Sequence, residues 1–290
     1  MAWRLGTVPY LNADPLAAAL REPDAARLVG EAVQLRGLVP SELLRTLLAG
    51  ELDAAMVSTG GILPHAELRI LPGMCVASRG PVRSIQLYCR KPLEDVRTLA
   101  LDRSSRSAVA LTRVLFAERW RTFPEFVTLP PHLPSMLERA DAALLIGNPA
   151  LLANEELDAG RWSGPPVRRF DLGAEWDSLT GLPFVYAVWA ARTGTTAAHG
   201  SAPDLERLTR VLHRAKEWGM GRLEQLAARG AAELALPPAV ALEYLTHAIH
   251  YDLGERERQG MERFCELAIR HRVLPPESAV RFAETALAAR

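Results

Sequence analysis

Two hydrophobic periods alternate along the first two thirds of the chain. Residues 3–8 read as a buried strand, followed by Pro9-Tyr10-Leu11-Asn12 as a loop. Asp14 before Pro15 supplies an N-cap and a first-turn proline for a helix reaching Leu20. After a short strand at 33–35, Pro40-Ser41 opens a helix that ends at Gly50. It carries Leu43, Leu44, Leu47 and Leu48 on one face. Residues 53–58 then read as a strand running into Thr59-Gly60-Gly61. Strands are also predicted at 84–88, 98–102 and 182–190, with an apolar helix after 107 reaching Phe116. From Pro203 the pattern is helical over 203–217, 221–230, 237–250, 255–271 and 276–288, punctuated by Gly and Pro-Pro pairs.

One unit recurs. A helix, Asp53-Ala54-Ala55, an apolar strand and a small polar loop reappear roughly 90 residues on as a helix opened by Pro134-Ser135, Asp141-Ala142-Ala143, an apolar strand and Gly147-Asn148. Two copies at this spacing are not a solenoid; they suggest two related α/β lobes. Alternating strands and helices predict parallel sheets with ligands at the C-terminal ends of the strands, here in a cleft between the lobes.

A length of 290 residues allows about two domains. The 34 basic and 34 acidic residues cancel, leaving no surplus for a nucleic-acid partner. Only Lys91 and Lys216 break an otherwise all-arginine set of basic residues, and neither sits in a phosphate-loop context, so a P-loop nucleotidase is excluded. Cys75, Cys89 and Cys265 are dispersed, without a CxxC, which suits a reducing compartment. The opening residues carry no secretory pattern, and no apolar run reaches 18 residues; a cytoplasmic protein away from membranes is expected.

The strongest chemical signal is Asp102-Arg103-Ser104-Ser105-Arg106-Ser107, where a strand ends and a helix begins. Free N–H groups and the helix dipole favour an anion there, and hydroxyls and guanidinium add donors. Ser58-Thr59-Gly60-Gly61 and Gly147-Asn148-Pro149 are donor-rich loops at two further strand ends. Glu243, His247 and His250 share a helical face, but the apolar residues around them favour packing over a metal site. GxSxG, HExxH and GxGxxG are all absent. The expected site therefore holds anions with neither metal nor cofactor.

Several stretches together resemble the chorismate dehydratases of the futalosine route to menaquinone, the MqnA family. They are Gly6-Thr7-Val8-Pro9-Tyr10-Leu11-Asn12-Ala13-Asp14-Pro15-Leu16, residues 53–58, Gly80-Pro81-Val82-Arg83-Ser84, residues 102–107 and 141–151. Asp171-Leu172-Gly173-Ala174-Glu175-Trp176, Thr180-Gly181-Leu182-Pro183-Phe184 and Tyr251-Asp252-Leu253-Gly254 continue the pattern across nearly the whole chain. The resemblance implies an α/β, two-lobed, periplasmic-binding-protein-like type II fold with a helical C-terminal region. Residues 1–87 and 191–290 would form lobe one and 88–190 lobe two, with chain crossings near 86–90 and 188–193. It also implies a lyase reaction without cofactor, in which chorismate, a dicarboxylate, loses water to give 3-[(1-carboxyvinyl)oxy]benzoate.

Set on the family pattern, Asn12 is the candidate catalytic group, and Ser58, Thr59, Ser84, Ser105, Arg106, Ser107, Gly147 and Asn148 are the candidate substrate-binding residues. Ser107 replaces the family's threonine and keeps its hydroxyl. Asn148 stands where the family carries aspartate and cannot act as an anionic base. Two alternatives are a non-catalytic carboxylate-binding protein of the solute-binding type and the related 1,4-dihydroxy-6-naphthoate synthase. The latter carries Ser-Pro-Cys-Pro-Asn where this chain has Val8-Pro9-Tyr10-Leu11-Asn12.

Overall fold

In the computed structural model, which describes residues 2–102, 106–194 and 203–285, the strands form two five-stranded sheets. The chain first lays down β1 (Trp3–Thr7), β2 (Val33–Gly37), β3 (Ala54–Ser58) and β4 (Leu68–Ser78). It then builds β5 (Ile85–Cys89), β6 (Thr98–Asp102), β7 (Glu125–Leu129), β8 (Ala142–Ile146) and β9 (Arg168–Asp171), and returns with β10 (Phe184–Arg192). The sheet orders are β2-β1-β3-β10-β4 and β7-β6-β8-β5-β9. In each, three parallel strands are followed by one antiparallel strand and then by a fifth that runs antiparallel to that one. In the first sheet the antiparallel strand is β10, supplied by the returning chain.

The Asp-Ala-Ala units occupy equivalent places. Leu5 lies opposite Ala54 in one sheet and Leu99 opposite Ala142 in the other. Asp53 accepts the backbone N–H of Arg4 at 2.8 Å and its guanidinium at 2.9 Å. Asp141 accepts the N–H groups of Arg97 and Thr98 at 3.0 and 3.1 Å and pairs with Lys91 at 2.7 Å. Each aspartate thus ties the start of a central strand to its parallel neighbour, while the alanines keep the strand narrow beneath its covering helices.

The crossings come earlier than expected. The chain leaves the first sheet at Ser78 and enters the second at Ile85, then returns between Asp171 and Phe184. The ranges 86–90 and 188–193 lie within or across the ends of β5 and β10, so residues 184–190 belong to the first sheet and 85–87 to the second. Hydrophobic pattern marks a buried strand without showing which sheet it joins. The carboxylate of Asp171 fixes both turnovers. It caps helix Leu172–Thr180 through Gly173 and Ala174 N–H and accepts from the N–H groups of Val82 and Arg83.

The C-terminal helices run over Leu205–Met220, Leu223–Leu234, Pro238–Glu243 and Glu255–Arg270, the third continuing as a π-turn over Tyr244–Ala248. The helix expected at 276–288 is replaced over its described part by a turn and irregular chain with one isolated bridge. Ala283 donates to Ile70 carbonyl at 2.8 Å, and Phe282 bridges Ile70. Asp14 is not a cap but the first residue of helix Asp14–Ala17; its carboxylate pairs with Arg21 and lies 3.7 Å from Arg229. Trp176 and Trp189 are fully buried, and Trp176 meets Phe184 and Phe264 edge to face at 5.3 and 6.2 Å. Among the described residues no helix is long and apolar enough to cross a membrane.

Candidate functional site

A cavity of about 60 Å³ lies between the two sheets. It gathers Val8 after β1, Ser58 closing β3, Ile146 and Gly147 at the end of β8, and Ile85 at the start of β5. Asn12 enters from the turn Leu11–Ala13, and Ser107 from the first turn of helix Arg106–Leu115. Its remaining wall is largely apolar, with Tyr10, Met56, Val76, Tyr186 and Ala187, and no carboxylate, imidazole or ammonium lines it among the described residues. The strand ends converge where open α/β sheets place their ligands.

The candidate residues divide by task. Asn12, Ser58, Ser107 and Gly147 line this cavity. Thr59 and Ser84 are fully buried and outside its lining, and neither hydroxyl makes a hydrogen bond of full geometry. An unmade buried hydrogen bond costs about 1–3 kcal/mol, which singles out the Thr59 hydroxyl. Ser105 lies outside the described residues. Arg106 begins its helix with an exposed side chain whose Cδ lies 3.7 Å from where a Cβ on Gly61 would stand.

Ser107 does more structural work than the helix-start reading supposed. Its Oγ accepts from Gly60 N–H at 2.8 Å and donates to the Tyr186 carbonyl at 3.1 Å. The hydroxyl has one proton and has committed it, so in this conformation it has none for a carboxylate. Gly60 permits the approach: a Cβ there would stand 3.2 Å from Ser107 Cα.

Asn148 lines a second, outer cavity of about 330 Å³ rather than the inner one. Its Oδ1 accepts from Leu11 N–H at 3.1 Å. Val8 and Tyr10 line both cavities, which makes them the partition. The Tyr10 ring lies over Gly147, whose φ is +61°; a Cβ there would stand 3.2 Å from ring carbons. The inner cavity alone is below the roughly 300–1,000 Å³ usual for ligand pockets, so a ligand must displace this partition or part the sheets.

The helical-face trio points to three different partners. Glu243 pairs with Arg83 at 2.9 Å, His247 lies 2.7 Å from Thr246 Oγ1, and His250 Nε2 lies 2.8 Å from the Arg79 guanidinium. Burial, with Arg79 adding to it, holds His250 below the usual imidazole pKa, so its ring accepts from Arg79 as a neutral group. Tyr10 and Tyr186 are the cavity residues that motif reading passed over. Tyr10 stood inside the quoted N-terminal stretch, and Tyr186 inside the apolar strand, without a signal that either faced the site.

Residues 3–270 match the family described as menaquinone biosynthesis. The chain belongs to this family. A chorismate dehydratase of Thermus thermophilus is 32% identical to it over 271 residues, covering 90% of this chain and 93% of that protein. Among solved structures, a protein of Archaeoglobus fulgidus superposes with a TM-score of 0.71 at 16% identity, covering 93% of this chain and 98% of the other. The alkanesulfonate-binding protein SsuA of Xanthomonas axonopodis pv. citri reaches 0.65 at 17% identity, with 96% of each chain covered. These neighbours establish a periplasmic-binding-protein-like fold for this member of the menaquinone-biosynthesis family.

Proposed function

We propose that this chain is a carbon–oxygen lyase that converts chorismate to 3-[(1-carboxyvinyl)oxy]benzoate. The observation that carries the reading is the nearly end-to-end similarity to the Thermus chorismate dehydratase. The site supports it: chorismate brings two carboxylates, the buried hydroxyl of Thr59 is a donor without an acceptor, and that of Ser84 makes no hydrogen bond of full geometry. Ser58, Arg106, Gly147 and the unplaced Ser105 complete the proposed binding set, while Ser107 and Asn148 hold the surrounding loops.

The reaction removes the proton on the carbon bearing the enolpyruvyl ether and breaks the neighbouring carbon–hydroxyl bond. Proton and hydroxide leave as water, and the ring becomes aromatic. A protein base would have to stand within hydrogen-bond reach of that proton, and the described lining offers none. The substrate's own enolpyruvyl carboxylate takes the proton in this scheme. Asn12 hydrogen-bonds the departing hydroxyl or an adjacent carboxylate, since an amide donates and accepts without adding charge.

Incubation of the purified protein with chorismate, followed by ultraviolet detection of an aromatic product, tests the reading. Turnover supports it. Tight binding without turnover would instead favour the solute-binding alternative, and a structure with an Asp or Glu beside the transferred proton would overturn the substrate-assisted scheme.

A further inference from the structure

Tyr244 opens the π-turn Tyr244–Ala248, about 230 residues along the chain from Asn12, yet the turn Leu11–Ala13 packs directly against it. Its side chain is 1% exposed, and its hydroxyl makes no hydrogen bond of full geometry. That hydroxyl is turned toward Ser84 and Asn12, close enough to interact with both. Ser84 Oγ is itself wholly buried and likewise makes no hydrogen bond of full geometry. Tyr244 does not line the cavity, whereas Asn12 does. Three polar side chains from three distant parts of the chain therefore meet behind one wall of the site. A buried phenol that meets its polar neighbours without a hydrogen bond of full geometry points to a network drawn tight only when the site is filled.

We infer that Tyr244 is a positioning residue: its hydroxyl donates to Asn12 or Ser84 when substrate is bound and sets the orientation of the Asn12 amide. The assignment rests on the proposed dehydratase activity. Burial pushes the phenol pKa well up, so the group stays a proton donor across the neutral range and cannot be the missing base. Its action passes through Asn12 and Ser84, because those are the groups its hydroxyl faces.

Tyr244→Phe removes only the hydroxyl and keeps the ring in its packing. In chorismate turnover kcat is expected to fall about tenfold with KM within about twofold. The melting temperature should change little, since the deleted hydroxyl makes no hydrogen bond of full geometry. In an Asn12→Ala background the same substitution should change kcat by less than about twofold, because the residue it orients is gone. Unchanged kcat in Tyr244→Phe, or an equal loss in both backgrounds, would overturn the assignment alone. A wild-type protein inert toward chorismate overturns the proposed function and the assignment with it. Should the variant not fold, the wild-type structure with the reaction product decides: the hydroxyl within hydrogen-bond range of Asn12 or Ser84 sustains the role, and its lying beyond both ends it.

Discussion

Asn148 is fastened to Leu11: its Oδ1 accepts the Leu11 backbone N–H at 3.1 Å, across a sequence separation of 137. One partner opens the helix after β8 in the second sheet, and the other lies in the loop after β1 in the first. The bond holds the loop bearing Tyr10 and Asn12 against the opposite half of the molecule.

The acceptor is what this position supplies, so the family's aspartate could supply it equally. Asn148→Asp keeps an oxygen for Leu11 N–H but places a carboxylate near the Pro9 carbonyl, which the amide nitrogen now approaches at 3.5 Å. Its stability is expected within about 0.5 kcal/mol of the parent, whereas Asn148→Leu loses about 1 kcal/mol and loosens the loop. Urea unfolding gives the first quantity, and KM for chorismate, rising in the leucine variant only, gives the second.

Ser107 ties the halves together a second time. Ser107→Ala strands Gly60 N–H and the Tyr186 carbonyl in a buried environment, for an expected loss of about 1–3 kcal/mol. Ser107→Thr keeps the hydroxyl and should retain most of that stability. An alanine variant as stable as the parent, by denaturant titration, would show that the hydroxyl is not a clasp.

Asp141 links stability to pH. Burial alone raises its pKa, but the Lys91 ammonium and the N–H groups of Arg97 and Thr98 outweigh it and bring the carboxyl to about 2, from an ordinary 3.8. The folded value lies below the unfolded one. The contribution, roughly 2 kcal/mol, is therefore complete above the unfolded value and is lost as pH falls through the folded one. Asp141→Asn should be less stable than the parent near neutrality, with the gap closing as acid is added. Unfolding midpoints of both proteins along a pH series check the slope; a gap constant down to pH 3 contradicts it.

Much of the scaffold was legible from local pattern. Residues 98–102 form the strand that their apolar run predicts, and the paired Asp-Ala-Ala units do sit at matching places in two sheets. The longest strand, Leu68–Ser78, was not, because Pro72-Gly73 in its middle reads as a turn. The sheet absorbs it instead as a register irregularity, with Gly73 at φ +81°. The site was half visible. Hydroxyls at strand ends announce donors, but not which protons are already spent, as at Ser107, nor that a helix from the far end of the chain returns Tyr244 to Asn12. Those facts belong to long-range packing, which no local window contains.

Asn12 carries the decisive prediction. It lines the cavity from a short turn whose Leu11 and Ala13 are buried on either side, so its backbone is held while its side chain remains partly exposed to the site. Among the described residues the lining around it contains no carboxylate, imidazole or ammonium, which leaves the amide as the polar group best placed to follow charge moving onto the departing hydroxyl. Losing one preorganised donor in a water-poor site lowers turnover by about 10²–10³. Asn12→Ala is expected to show that loss in kcat with little change in KM, because the carboxylates would still be held by the hydroxyls behind the wall. Asn12→Asp separates charge from geometry: it keeps the size but sets an anion against a leaving hydroxide and a carboxylate, so it should be at least as slow as the alanine variant. Steady-state kinetics on folded variants decide the matter, and a near-normal kcat in Asn12→Ala would move the catalytic role to another residue.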